Sequence, residues 1–178
     1  MNDPHEGAAL DRVARLAAFN RLDAAAAVET LLACCASPAG AQRMAAGRPY
    51  PSPAALLAEA DAALAALTEA DLDQALAGHP RIGDRPTAAH NPASTREQSG
   101  LSGADQQVLD DLAEGNREYE ARFGHVYLVC ASGRSAQELL GVLRQRLRND
   151  PVTERAVMRD ELGAINRLRL ERLLAEPR

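Results

Sequence analysis

Signals that begin and end helices recur along the chain, and they limit its fold more than any other feature. Ser52 before Pro53 is typical of a helix start, because the serine side chain caps the first amides and proline suits the first helical position. Ser135 and Glu138 have the spacing of a capping box. Aromatic residues make up only 3% of the chain, so its core must consist of Ala, Leu and Val, and abundant alanine favours helices. Apolar spacing and these signals predict helices over residues 10–19, 23–36, 52–67, 68–78, 105–123, 135–149 and 150–175.

Two segments do not follow a helical pattern. Residues 78–100 contain three Pro and two His, and a connector of this length in a compact domain is often functional. Residues 125–131, HVYLVCA, have the composition of a strand. They have no evident partner strand, so we expect a buried segment, either extended or helical. The sequence therefore predicts an all-α fold, a bundle of roughly seven to nine helices forming a single domain over residues 1–178.

Charge and composition argue against several classes of protein. The net charge of −5 argues against binding to nucleic acid or to an anionic membrane surface, because like charges repel. No apolar run reaches the roughly 18 residues needed to span a bilayer. The N-terminus lacks the basic and apolar regions of a secretory signal. The three cysteines form no CxxC pair, which is typical of reduced thiols, so we expect a cytoplasmic protein.

His79 is a candidate general acid or base. Pro80 fixes its own φ and restricts the backbone of His79, while Gly78 and Gly83 permit close approach of a ligand. A histidine held on such a stiff turn can exchange a proton near neutral pH. The alternative interpretation is a turn histidine that bonds a local carbonyl group.

Glu97 also has two interpretations. Ser94 and Glu97 have the spacing of a capping box, which requires no function. The neighbouring Gln98 and the histidine of the same loop favour a functional role, because a capping glutamate needs neither of them.

Arg122, near the end of the helix predicted over residues 105–123, could bind a carboxylate or imide oxygens through its planar fork. The alternative is a cation that only interacts favourably with the helix dipole. His79, His90 and His125 do not have the spacing of a metal site, so no metal is expected.

Four motifs in this order resemble the signature blocks of the decarboxylases of 2-oxo-4-hydroxy-4-carboxy-5-ureidoimidazoline (OHCU). They are HPRIG at residues 79–83, STREQ at 94–98, REYEARFG at 117–124 and VCASGRS at 129–135. The similarity extends from FNRLD at residues 19–23 to the last helix, which is almost the whole chain. Each motif is modest alone, but four in order are a specific signal.

The resemblance implies a role for each motif residue. His79 would be the catalytic histidine and Glu97 its acidic partner. The substrate-binding residues would be Ser94, Gln98 and Arg122, together with Pro80, which shapes the turn. The resemblance also implies an all-α homodimer without a cofactor. Its substrate would be the small ureidoimidazoline OHCU, converted to (S)-allantoin and CO2 in the third step of urate breakdown.

Two other hypotheses remain compatible with the residues alone. The first is a non-catalytic helical module that binds a small molecule or acts as a scaffold. The second is a lyase or isomerase that acts on a related ureido acid.

Overall fold

The computed structural model describes residues 4–84 and 92–175, and within them it is built from helices without a β-strand. The all-α prediction is thus confirmed, and the nine α-helices described agree with the expected number. They are α1 (Pro4–Asn20), α2 (Ala24–Cys35), α3 (Pro38–Ala46), α4 (Pro53–Ala65), α5 (Glu69–Ala77), α6 (Pro92–Glu97), α7 (Gln106–Phe123), α8 (Ala136–Arg146) and α9 (Pro151–Ala175), with a 3₁₀ turn at Ser99–Leu101.

The capping signals act as the sequence predicts. Ser52 accepts a hydrogen bond from the amide of Ala55 at the start of α4. Ser135 and Glu138 form both bonds of a capping box at the start of α8. Helix α7 ends at Gly124, whose φ of 75° is in the left-handed region that glycine adopts without strain.

Two helices were not predicted. Ser37 caps the amide of Gly40, and Pro38 is the first residue of α3, a helix absent from the prediction. Helix α2 ends at Cys35, close to the predicted end at residue 36, and its C-cap Ala36 has a left-handed φ of 50°. Helix α6 lies inside the segment that was expected to be a loop, and it contains Ser94 and Glu97.

The chain divides into two compact units. The first joins the residues up to Ala75 with those from Ile165 onwards, and its apolar core takes side chains from α1–α4 and the end of α9. The second comprises Leu76–Ala164 and contains every candidate site residue. Its core is formed by α7, α8 and the segment between them, with Leu112, Tyr119, Tyr127, Leu139 and Leu143 among the buried side chains. The single domain over residues 1–178 stays a prediction.

Residues 125–131 have no regular secondary structure, and Tyr127, Leu128, Val129 and Ala131 are buried. A buried backbone outside helices and sheets needs partners for its polar groups, and here side chains supply two of them. Arg146 donates to the carbonyl of Leu128 at 2.7 Å, and the amide of Cys130 donates to Glu161 at 2.8 Å. This explains how a segment with strand composition exists without a second strand.

Arg146 belongs to a buried polar network around Glu154, which has no exposed surface. Its Nε donates to Glu154 Oε1 at 2.8 Å, and the hydroxyl of Tyr119 donates to the same oxygen. The side-chain Nδ2 of Asn149 donates to Glu154 Oε2 at 2.8 Å. Because both carboxylate oxygens are satisfied, the network links α7, α8 and the first turn of α9.

None of the described helices combines the length and the apolar character needed to cross a membrane.

Replacement of Glu154 by Gln should destabilise the protein strongly. The substitution leaves the charge of Arg146 buried without its counter-ion, and breaking such a pair typically costs about 3–5 kcal/mol of unfolding free energy. Urea unfolding followed by circular dichroism measures this loss. Asp61→Asn is the control, because it breaks an exposed pair with Arg167 and should cost no more than about 1 kcal/mol. Equal losses in both variants would contradict a central role for Glu154.

Candidate active site

His79 lies two residues beyond the end of α5, in a buried position with 8% of its surface exposed. Its backbone amide donates to the carbonyl of Leu76 at 2.9 Å, which closes a tight turn at the end of α5. Pro80 follows, and a tight turn closes between Arg81 and Asp84 through a bond of 3.3 Å. Gly83 has a φ of 90°, which other residues rarely adopt, so the turn requires glycine there.

Ser94 and Glu97 do not form a capping box, so that alternative interpretation is wrong. Both residues lie inside α6. An N-cap residue must precede the helix, whereas Pro92 begins α6 two residues before Ser94. Ser94 and Glu97 are 4% and 5% exposed, so capping does not account for this buried carboxyl side chain.

A cleft of about 490 Å³ lies between the turn after His79 and α6, a volume within the range of small-molecule sites. Three of the candidate residues line it, namely Pro80, Ser94 and Gln98. His79 and Glu97 each adjoin one of these lining residues in the sequence, and both are more than nine-tenths buried. The structure thus brings the HPRIG and STREQ motifs to one cavity.

The side chain of Gln98 contacts the turn as well as the cleft. Its Oε1 accepts a hydrogen bond from the amide of Gly83 at 3.0 Å. Its Nε2 lies 3.4 Å from the carbonyl oxygen of Arg81, which is long for a hydrogen bond. Gln98 therefore helps to hold the turn, and its contact with the substrate stays a prediction.

The VCASGRS motif lies close to Glu97, although the sequence assigned no role to its residues. Burial is the main reason that the pKa of the Cys130 thiol is raised, and the negative charges of Glu161 and then Glu97 raise it further. A backbone hydrogen bond with Ser132 and the charge of Arg134 act in the opposite direction. The charge of Glu97 therefore acts on Cys130, which lies in the segment of residues 125–131.

Gly100, two residues after the STREQ motif, packs against the VCASGRS motif. A Cβ at this position would meet the carbonyl oxygen of Arg134 closer than any real Cβ approaches a neighbour. The segment after α6 thus packs directly on the backbone of the turn that precedes α8.

Arg122 is not brought to the cleft. Its Nη2 donates to the carbonyl of Asn149 at 3.0 Å, and its guanidinium lies 5.3 Å from the ring of Phe123. Leu109, which lines the cleft from α7, comes 13 residues before Arg122, or about 20 Å along the helix. The anion-binding role of Arg122 stays a prediction.

Within the described residues, no three His, Cys, Asp or Glu side chains form a group that could hold a metal ion. His90, considered above for metal spacing, lies outside these residues.

Comparison with known proteins identifies one family. A family model described as OHCU decarboxylase matches residues 20–171. The uric acid degradation bifunctional protein TTL of Arabidopsis thaliana is 31% identical over 148 residues, which are 80% of this chain and 46% of that protein. The OHCU decarboxylase of Amia calva is 32% identical over 80 residues, which are 45% of this chain and 46% of that protein. The chain thus spans less than half the length of these relatives.

Solved structures show the same fold. A crystal structure of an OHCU decarboxylase in the presence of (S)-allantoin matches with a TM-score of 0.72 and 28% identity, covering 82% of this chain and 96% of that one. An (S)-allantoin synthase matches with a TM-score of 0.68 at 14% identity, covering 89% and 53%. At that identity the second match concerns the fold alone.

Replacement of Gly100 by Ala should lower stability, because the added methyl group can be accommodated only if two backbone segments move apart. Overpacking of this kind typically costs about 1–3 kcal/mol of unfolding free energy. Gly141→Ala provides the control, since a Cβ there meets nothing within 4 Å and should stabilise α8 by about 0.5–1 kcal/mol. Urea unfolding of both variants measures the difference. A stability gain at Gly100 would show that the two segments are not in close contact.

Proposed function

The chain belongs to the OHCU decarboxylase family, and we propose that it decarboxylates OHCU to (S)-allantoin and CO2 in the breakdown of urate. The main support is the family match over residues 20–171. The cleft adds independent support, because it collects Pro80, Ser94 and Gln98 from two separate motifs.

The chemistry of the substrate explains why no cofactor is proposed. OHCU carries its carboxylate and its hydroxyl on one carbon, next to a C=N bond. When the bond to the carboxylate breaks, its electron pair moves towards that C=N group and CO2 leaves, so the substrate supplies its own electron sink. The nitrogen of that C=N group and the ring carbon bonded to it then each gain a proton, while the hydroxyl group loses one and becomes a carbonyl, which gives allantoin. The enzyme has to orient the substrate and control these protons.

We assign the proton of the substrate hydroxyl to His79. A general acid or base must keep a fixed geometry, and His79 is buried at the start of a turn that Pro80 stiffens. Glu97, also buried, would orient His79 or bind ring N–H groups. Protonation of the product carbon from one face of the cleft would make the product the S isomer.

The remaining polar residues would bind the substrate. Ser94, at the cleft wall, and Gln98 would contact the ring and ureido groups, and Pro80 would pack against them. The resemblance assigns a carboxylate or carbonyl oxygen of the substrate to Arg122, which in this structure donates to the carbonyl of Asn149 and lies about 20 Å along α7 from Leu109 at the cleft.

The setting of the activity is also a proposal. We expect a homodimer, as the family resemblance implies, that acts in the cytoplasm on a small molecule and binds neither nucleic acid nor membrane. The free thiols of Cys34, Cys35 and Cys130 are compatible with a reducing compartment.

Freshly generated OHCU should give (S)-allantoin rapidly with the wild-type protein and slowly with His79→Asn. Loss of a general acid or base typically reduces the rate by about 10²–10⁴-fold. Circular dichroism of the product follows the reaction, and thermal unfolding verifies that the variant is folded. If the wild-type protein gave racemic allantoin at the spontaneous rate, the proposed activity would be ruled out. A lyase or isomerase of a related ureido acid, or a non-catalytic module, would then be favoured.

Glu97→Gln should reduce turnover by about tenfold or more, because an amide cannot replace a carboxylate that orients a histidine or accepts a ring proton. Glu138→Gln is a matched control, since Ser94 and Glu97 have the same sequence spacing as Ser135 and Glu138, where a true capping box forms. Gln can still serve in a capping box, so this control should keep full activity. Equal turnover in the two variants would remove Glu97 from the reaction.

A further inference from the structure

Asn116 is a buried polar residue that reaches the turn after His79. It lies in the middle of α7 with 2% of its surface exposed, and its Nδ2 donates to the carbonyl of Ile82 at 2.8 Å. An apolar side chain of similar size would avoid the cost of burying an amide at this position. The bond to Ile82 gives a specific reason for an asparagine, since it fixes a backbone carbonyl 34 residues away in the sequence.

Glu120 binds the same turn from one helical turn further along α7. It accepts two bonds from Arg81, at 2.5 Å from Nε to Oε1 and at 2.7 Å from Nη2 to Oε2. This paired geometry fixes the orientation of the arginine more strongly than a single contact does. The hydrogen bond with Arg81 also lowers the pKa of Glu120. Residues four apart lie on one helix face, so Asn116 and Glu120 present a continuous anchor.

The anchor acts close to His79 along a stiff chain. Arg81 and Ile82 are two and three residues beyond His79, and the link between them is Pro80, whose φ is fixed. Gly83, the next residue, is held by Gln98. Each of the three residues after Pro80 is therefore bound by a side chain from outside the turn. Two of these side chains belong to α7, and the third is that of Gln98.

We propose that Asn116 and Glu120 are positioning residues, which hold the imidazole of His79 in its working place through this turn without touching the substrate. Displacement of a reacting group by about 1 Å can cost about 10²-fold in rate. The kinetic part of this inference rests on the proposed decarboxylase activity; the position of the imidazole can be measured independently of it.

The test compares Asn116→Leu and Glu120→Gln with Asp111→Asn. Asp111 also lies on α7 and forms an arginine pair, with Arg144 at 2.7 Å, but this pair does not involve the turn. Nuclear magnetic resonance of the imidazole nitrogens, with the His79 signals assigned by their loss in His79→Asn, reports the surroundings of the ring, which change when the ring is displaced. Stopped-flow circular dichroism measures kcat and KM for OHCU.

We expect the His79 signals to shift or broaden in Asn116→Leu and Glu120→Gln and to stay unchanged in Asp111→Asn. In the first two variants kcat should fall by about tenfold or more, with KM changed far less. His79 signals and kcat at wild-type values in a folded Glu120→Gln or Asn116→Leu protein would overturn the inference, and so would an equal response in Asp111→Asn. If Asn116→Leu does not fold, Glu120→Gln alone decides. If wild-type protein does not convert OHCU, the proposed function fails, and the His79 signals still decide the positioning role.

Discussion

The buried pair of Arg146 and Glu154 is the interaction on which the second unit of this protein depends. A carboxylate with no exposed surface is tolerated only when every oxygen has a partner, and here Arg146, Tyr119 and Asn149 supply them. The same guanidinium satisfies the carbonyl of Leu128. One charge pair therefore connects three helices and supplies a hydrogen-bond partner to the backbone of a buried segment that is neither helix nor strand.

This constraint extends to the candidate site through α7. Tyr119, which donates to Glu154, lies between the two residues that bind the turn after His79, namely Asn116 and Glu120. A helix held by this buried network provides a fixed base for the contacts of Asn116 and Glu120, which lie within one helical turn of Tyr119. A decarboxylase without a cofactor would need this rigidity, because orientation and proton control are all that the protein adds to the reaction.

A serine followed three positions later by a glutamate occurs at two places in the chain, with different outcomes. Ser135 and Glu138 stand at the start of a helix and form a capping box, whereas Ser94 and Glu97 stand inside a helix that begins at Pro92. Pro92 was a visible sign of that earlier start, since proline favours the first helical position. A capping pattern therefore identifies a helix start only when no earlier start is present in the sequence.

The sequence by itself determined the helical class, most helix ends and the motifs that form the cleft. These features depend on residues within about four positions of one another, such as Ser52 and Ala55 or the glycine that ends α7. Only the tertiary structure decided that Gln98 faces Gly83, that Arg122 binds the carbonyl of Asn149, and that α7 anchors the turn through Asn116 and Glu120. These contacts join residues 15 to 39 positions apart. Such distances are spanned by the packing of whole helices, and a single sequence carries no local signal of which side chains that packing brings together.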